Sequence, residues 1–305
     1  MRAIIIYDYK PQAKLLGKRV IALGFFDGVH RGHREILKTA VSEAKALGAI
    51  SSVFTFASDT SEFKGEKRIY SSEKKLALIA ECGIDEVIIA DFEAVKSISA
   101  EDFISQTLIS ELGCILAVSG KDFRFGYKAL GDTELLKKSI ENFGARLICP
   151  ADIEEDGEKI SSSKIKELLS LGKVKKAGEL LGAPYFVKSR VKKGLGLGKS
   201  FGFPTVNTEI EKNEISLLSG VYRCVCEIDE NKYDALTNVG ICPTVSKREK
   251  HMETYILGCD ADFYGKEVKI CFLDFIRPER KFESTESLIM QIKADINAAF
   301  GKKEY

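Results

Sequence analysis

Two of the chain's three histidines, His30 and His33, fall in the run Leu23-Gly24-Phe25-Phe26-Asp27-Gly28-Val29-His30-Arg31-Gly32-His33. If this run opens a helix, the two imidazoles lie one turn apart and can point the same way. Two such donors beside a helix N-terminus suit negative charge that develops on a pyrophosphate leaving group. Backbone N–H groups there also favour phosphate. Gly28 and Gly32 lack Cβ, which lets backbone approach a triphosphate closely. An acceptor phosphate could then attack the α-phosphorus in line, without a covalent nucleophile. The plainer alternative is an ordinary helix start that carries surface histidines. The strand-like GFFDGV lead-in favours the nucleotide site, with a cytidylyl- or pantetheine-type transferase also allowed by this pattern.

Further constellations follow. Ile160-Ser161-Ser162-Ser163-Lys164-Ile165-Lys166 is a serine run at a helix start, equally readable as a plain N-cap. Lys193-Gly194-Leu195-Gly196-Leu197-Gly198-Lys199 alternates glycine and leads into Gly202-Phe203-Pro204-Thr205-Val206-Asn207. Glycine loops often serve only as turns. Thr205 and Asn207 offer neutral oxygens of the kind that share Mg²⁺ with nucleotide phosphates. Glu253, in Met252-Glu253-Thr254-Tyr255, is a candidate proton acceptor or an outward strand residue.

The elements that must position these residues change character along the chain. In the first half, apolar strand-like runs at 20–26, 50–56, 86–90, 114–118 and 145–149 alternate with helical patterns at 32–47, 72–82, 100–112 and 132–143. MRAIIIYDYK reads as a first strand. Apolar strands separated by amphipathic helices imply an α/β doubly wound parallel sheet, Rossmann-like in class. The histidine run then sits where a strand ends and a helix begins, the usual ligand crevice of such sheets. After Gly182-Ala183-Pro184 the apolar residues alternate with period two. Tyr222, Cys224, Cys226 and Ile228 share one face of 220–229, and Val268, Ile270 and Phe272 share one face of 267–275. Short strands of this kind predict a small antiparallel β-barrel. A C-terminal helix over 284–300 follows, capped by Ser284 or Thr285, with Leu288, Ile289, Ile292 and Ile296 as its buried stripe. Two domains are expected, 1–183 and 184–305.

Composition narrows the partners. With 46 Lys and Arg against 45 Asp and Glu, the net charge of +1 in 305 residues argues against a general nucleic-acid or anionic-membrane binder. No apolar run approaches a membrane span, and the N-terminal apolar stretch is too short for a signal peptide. A cytoplasmic protein with small-molecule partners is the expectation. Eight cysteines are scattered without a CxxC pair, mostly in apolar runs, which disfavours zinc or disulfides.

GFFDGVHRGH closely resembles the nucleotidyltransferase signature of the bacterial bifunctional riboflavin kinase/FAD synthetases. Ser119-Gly120-Lys121-Asp122-Phe123-Arg124-Phe125-Gly126 resembles that family's flavin/nucleotide loop, and the 160–166 serine run resembles its ISST segment. GFPTVN, Gly220-Val221-Tyr222, Asn238 to Thr244 and Asp260 to Gly265 resemble the riboflavin kinase motifs in their order. The resemblance implies that His30 and His33 are catalytic in FMN adenylyl transfer. It implies that Gly24, Phe25, Asp27, Gly28, Ser162, Ser163 and Lys164 bind ATP with them, and that Asp122, Phe123 and Phe125 bind flavin. In the kinase half it implies that Gly194, Gly196, Gly198, Lys199, Thr205 and Asn207 bind ATP phosphates. Thr205 and Asn207 would also hold Mg²⁺, and Glu253 would be the catalytic base. Substrates would be riboflavin, FMN and ATP. The chain departs from the family at Thr55-Phe56-Ala57-Ser58-Asp59, where TFDPHP is usual, and carries lysines at Lys164 and Lys166 in place of arginines. These departures leave two alternatives, a kinase with a weak or lost adenylyltransferase and a non-catalytic flavin-binding regulatory relative.

Overall fold

Near-continuous apolar runs become the buried central strands of a sheet in the N-terminal half, with the two edge strands more exposed. β1 (Ile5–Tyr9), β2 (Arg19–Leu23), β3 (Ile50–Phe56), β4 (Glu86–Ala90), β5 (Cys114–Ser119) and β6 (Arg146–Ile148) form one parallel sheet in the order β1-β4-β3-β2-β5-β6. This is the doubly wound arrangement that the alternating pattern predicts. Helix α1 (Arg31–Leu47) joins β2 to β3, and α2 (Ser72–Glu81) lies between β3 and β4. β3 and β4 lie on one side of β2, and β5 and β6 lie on the other. The order therefore reverses at β2/β5, and the crevice outside their carboxyl ends is where open α/β sheets bind ligands. A two-stranded hairpin, β7 (Glu154–Glu155) and β8 (Glu158–Lys159), follows the sheet. The computed structural model describes residues 4–12, 14–57, 67–194, 197–241, 250–259 and 261–301, with backbone alone at Leu197, Lys199, Ile241 and Lys250.

The helix expected over 100–112 forms, but its hydrogen bonding changes part-way. Ala100–Asp102 is α-helical and Phe103–Glu111 is π-helical, with the Leu112 N–H reaching the Thr107 carbonyl at 3.0 Å. Apolar spacing does not separate i→i+4 from i→i+5 bonding, so the sequence gives no signal for this. The wider turn buries Phe103, Ile104, Thr107 and Leu108 together against the sheet.

The period-two half forms β9 (Phe186–Arg190), β10 (Thr205–Glu209), β11 (Gly220–Ile228), β12 (Asn231–Ile241), β13 (Lys250–Ile256) and β14 (Glu267–Pro278). They pair antiparallel in the order β10-β13-β12-β11-β14-β9. A Lys192–Asn207 bridge links the two ends of the sheet, so the barrel is nearly closed. Tyr222, Cys224, Cys226 and Ile228 are all buried, as are Val268, Ile270 and Phe272. Burial pushes the Cys226 thiol up to about 12, as it does for Cys114 in the sheet.

The C-terminal helix, Thr285–Phe300, is capped by Ser284 in a reciprocal box with Ser287. Its buried face differs from the expected stripe. Leu288, Ile289, Ile292 and Ile296 are half-buried, and the buried positions are Asp295 and Ala299. Asp295 is buried because both its oxygens receive Arg277 from β14, at 2.9 to 3.0 Å. Leu288 and Ile292 remain partly open because they line a cavity. By contact the chain divides into two units, Met1–Ser162 and Ser163–Tyr305. The helices Ser162–Ser170 and Val174–Leu181 thus fall almost wholly with the barrel unit, and Val174–Leu181 packs on β14.

Candidate active sites

The end of β2 turns by an unusual backbone. Phe26, Gly28 and Val29 all take positive φ, at 56°, 82° and 44°. For Phe and a β-branched Val this is strained backbone, costing about 1–3 kcal/mol each. Burial of both side chains holds the turn, as do two bonds at Asp27. Its carboxylate accepts the Ile69 N–H at 2.9 Å, and its carbonyl accepts the Ser162 hydroxyl at 2.8 Å. A Cβ on Gly28 would stand 2.7 Å from Ile69 Cδ1, so glycine is needed there for packing as well as for φ.

The turn delivers His30 as the N-cap of α1, its Nδ1 accepting the His33 N–H at 3.3 Å. That bond leaves the His30 proton on Nε2. The two imidazoles stack with centroids 3.6 Å apart and planes at 18°. Gly32 makes room for this, since a Cβ there would press on the His30 ring at 3.3 Å. Burial, then the charge of Lys159, pushes His30 down to about 4, with Asp122 opposing. His33 is held well below the usual histidine value by burial first, then by His30, Lys75 and Lys159. Both rings are therefore neutral donors near pH 7, and the positive field around them comes from lysines.

These histidines line a cavity of about 930 Å³ at the β2/β5 crevice. Gly24, Phe25 and Ser162 line it, as do Asp122, Phe123 and Phe125 from the loop after β5. Phe123 and Phe125 stack at 5.6 Å and 14°, and Phe103 of the π-helix packs on Phe125 at 5.3 Å. Asp27 and Gly28 shape the turn from behind and are not on the wall, and Ser163 and Lys164 also lie off it. Ala57 is described, whereas Ser58 and Asp59 lie outside the described residues.

Two cations were not legible in the sequence. Lys159 on β8 reaches Asp152 at 2.9 Å and Asp122 at 3.1 Å within the cavity wall. Burial works against its charge, but these two carboxylates hold its pKa above the usual lysine value. Lys75 is buried in α2, with contacts to the ends of β2 and β3. A lysine on a short hairpin or an amphipathic helix reads as solvated, and only tertiary placement turns it inward.

In the barrel unit the register sets the second site. Asn207 of β10 and Asn238 of β12 lie directly opposite Glu253 on β13, one on each side. Thr205 is two residues before Asn207, on the same face. Thr205, Asn207, Asn238 and Glu253 all line a cavity of about 350 Å³ with Gly198 and Tyr255. Gly194 backs onto the Asn207 carboxamide so closely that a Cβ would meet it at 2.1 Å. A Cβ on Gly198 would meet the Phe203 carbonyl at 2.4 Å. Gly196 lies outside the described residues, and of Lys199 only the backbone is described, in the helical turn Leu197–Ser200. His251 stands 4.0 Å from Glu253 on the same strand face. The same cavity is also lined by Arg277, paired with Asp295, and by Arg280 and Phe282, none of which lies in a sequence motif. The guanidinium carbons of Arg277 and Arg280 lie 5.6 and 4.8 Å from the Phe282 ring centre.

Among the described residues no group of three His, Cys, Asp or Glu could hold a metal ion. The donors at Thr205 and Asn207 are neutral oxygens beside one carboxylate. That set fits Mg²⁺ arriving with nucleotide phosphates, since Mg²⁺ typically takes one or two protein ligands plus substrate oxygens.

Known proteins match over both units. The family described as FAD synthetase matches residues 12–164, and the one described as riboflavin kinase matches residues 181–301. A bifunctional riboflavin kinase/FMN adenylyltransferase from Escherichia coli (strain K12) is 32% identical over 282 residues, 90% of each chain. The protein of the same description from Bacillus subtilis (strain 168) is 33% identical over 287 residues, 91% of this chain and 90% of that one. A crystal structure described as a macrolide-efflux protein from Streptococcus pneumoniae superposes with a TM-score of 0.89 at 29% identity, covering 98% of this chain and 100% of that chain. Its description belongs to that protein. Among the described residues here no helix is long and apolar enough to cross a membrane. With both family matches in order and relatives above 30% identity along most of its length, this chain belongs to the bifunctional riboflavin kinase/FMN adenylyltransferase family.

Proposed function

We propose that residues 184–305 phosphorylate riboflavin with ATP and that residues 1–183 adenylylate the resulting FMN, giving FAD and pyrophosphate. The observation that carries this reading is the pair of prepared cavities, each built around the residues its chemistry needs. In the first cavity, stacked neutral imidazoles face the Phe123/Phe125 loop across one space. The FMN phosphate oxygen attacks the α-phosphorus while the bond to the β-phosphate oxygen breaks. His30 and His33 donate N–H bonds to the departing pyrophosphate, and Lys159 balances its charge. Gly24, Phe25 and Ser162 border the ATP, with Ser163 and Lys164 at the start of the following helix. Asp27 and Gly28 hold the turn, and Asp122, Phe123 and Phe125 receive the flavin.

In the second cavity Glu253 accepts the proton of the riboflavin 5′-hydroxyl as that oxygen attacks the γ-phosphorus and ADP leaves. By their motif, Gly194, Gly196, Gly198 and Lys199 would bind the phosphates. Thr205 and Asn207 would hold Mg²⁺, which neutralises phosphate charge when bound. The protein works in the cytoplasm on small molecules.

The test is chromatography of the products after incubating the full chain with riboflavin, ATP and Mg²⁺. FMN and FAD together are expected. FMN without FAD would remove the adenylyltransferase assignment, and neither product would remove both.

A further inference from the structure

Lys75 is a lysine with 1% of its surface exposed, placed in α2 behind the first cavity rather than on its wall. Its Nζ donates to the Phe56 carbonyl at 2.6 Å, the Phe25 carbonyl at 3.2 Å and the Thr55 hydroxyl at 3.4 Å. Thr55 itself donates to the Phe25 carbonyl at 3.0 Å. The same ammonium sits 4.6 Å from the centre of the Phe25 ring, which lines the cavity. The two carbonyls and the Thr55 hydroxyl lie where β2 and β3 run out of the sheet. The Phe25 carbonyl immediately precedes Phe26, the first left-handed residue of the strained turn that carries His30 and His33.

Taking an ammonium out of water is costly, and replacing a buried charge with an apolar side chain of similar length is often neutral or stabilising. A cation in this place has an electrostatic and geometric consequence that methionine lacks. It joins two strand ends through one point charge and adds positive potential close to the imidazole pair.

We propose that Lys75 is a positioning residue for adenylyl transfer, its buried ammonium tying the ends of β2 and β3 so that the Phe25–Val29 turn presents His30 and His33 to the triphosphate. The inference rests on the reading that these histidines serve the leaving pyrophosphate. The field around His33 agrees, since Lys75 is one of the charges that keep it neutral, together with His30 and Lys159. Asp122 is the carboxylate that acts in the opposite sense on His30.

The experiment uses the full chain with Lys75→Met, Lys75→Arg and His33→Ala, measuring FAD from FMN and FMN from riboflavin in the same preparations. Lys75→Met should lower kcat for FAD formation at least tenfold with little change in KM for ATP, and leave FMN formation as in wild type. Lys75→Arg, which keeps a cation, should restore most of the rate. The acid limb of the FAD-forming profile should move to higher pH in Lys75→Met, because removing a neighbouring charge lets His33 protonate more readily. The charge of any lysine this close to His33 would move that limb, so the readouts that single out a positioning role are the fall in kcat without a change in KM and its return in Lys75→Arg. Wild-type FAD formation by Lys75→Met overturns the inference, as does a loss that Lys75→Arg fails to restore. If His33→Ala also forms FAD normally, the histidine reading itself has failed. If only His33→Ala loses activity, the Lys75 inference alone is wrong.

Discussion

His30 and His33 are neutral in the free protein, so what they offer a triphosphate is N–H donation without the desolvation of a buried cation. A donor of this kind acts where charge grows, on the oxygen leaving the α-phosphorus, more than on bound ATP. His33→Ala should therefore reduce FAD formation by about 10² or more, the scale of losing one preorganised donor, while FMN formation continues. Assaying both products from the same variant checks this, and unchanged FAD output would take His33 out of the mechanism. In the proposed kinase reaction Glu253, flanked by two carboxamides, would work by the opposite chemistry, as an acceptor. Glu253→Gln keeps the shape but cannot take the proton, so FMN formation should fall by about 10² to 10⁴ with riboflavin binding retained. Near-normal turnover in this variant contradicts the assignment. The histidine and glycine motifs were readable because their residue types are scarce and tightly spaced. Lys75, Lys159, Arg277 and Asp295 were not, because charged residues on helices and strand ends are common and their inward aim depends on distant partners.

The helix start at His30 links one side chain to the stability of a whole element. His30 both caps α1 and stays neutral when buried, with 5% of its surface exposed. Its pKa in the folded chain is about 4 against an ordinary 6.5. Between those values the unfolded chain binds the extra proton, so stability rises with pH across this window. The contribution is complete above pH 6.5 and is lost as pH falls towards 4. The loss across this window is about 3 kcal/mol. His30→Asn retains an N-cap acceptor without a titrating ring. Amide exchange of α1 should report a destabilisation between pH 6.5 and 4 in wild type that is markedly smaller in His30→Asn. Identical pH slopes would show that burial of His30 carries no such penalty. Elements of this kind follow from caps and periodicity, and the strand–turn–α1 junction was placed correctly from sequence. The π-helical stretch at Phe103–Glu111 was not, since period alone does not report which carbonyl each N–H reaches. The C-terminal helix was found, yet its apolar stripe is half-buried because Leu288 and Ile292 face a cavity rather than a core.

Across the whole chain, the change from helical to period-two spacing after Gly182-Ala183-Pro184 marks where the barrel begins, because a strand's alternation is written in its own residues. Which unit a preceding helix packs on is written only in three dimensions. Val174, Ala177, Leu180 and Leu181 are buried, and their helix lies on β14 within the second unit. A fragment spanning 184–305 keeps every kinase motif but leaves that face of β14 uncovered. One spanning 163–305 keeps the cover. Burying a large apolar side chain is worth about 1.5–3 kcal/mol, so the helix contributes about 5 kcal/mol, comparable with the whole stability of many domains. The longer fragment should therefore fold and phosphorylate riboflavin, and the shorter one should melt far lower or aggregate while carrying the same catalytic residues. Thermal unfolding of both, with FMN formation measured below the transition, separates the two roles. Equal melting temperatures would show that the Val174–Leu181 helix is dispensable to the barrel. An inactive but well-folded longer fragment would mean instead that phosphoryl transfer needs residues before Ser163, and the assignment of the kinase to the C-terminal half would have to be withdrawn.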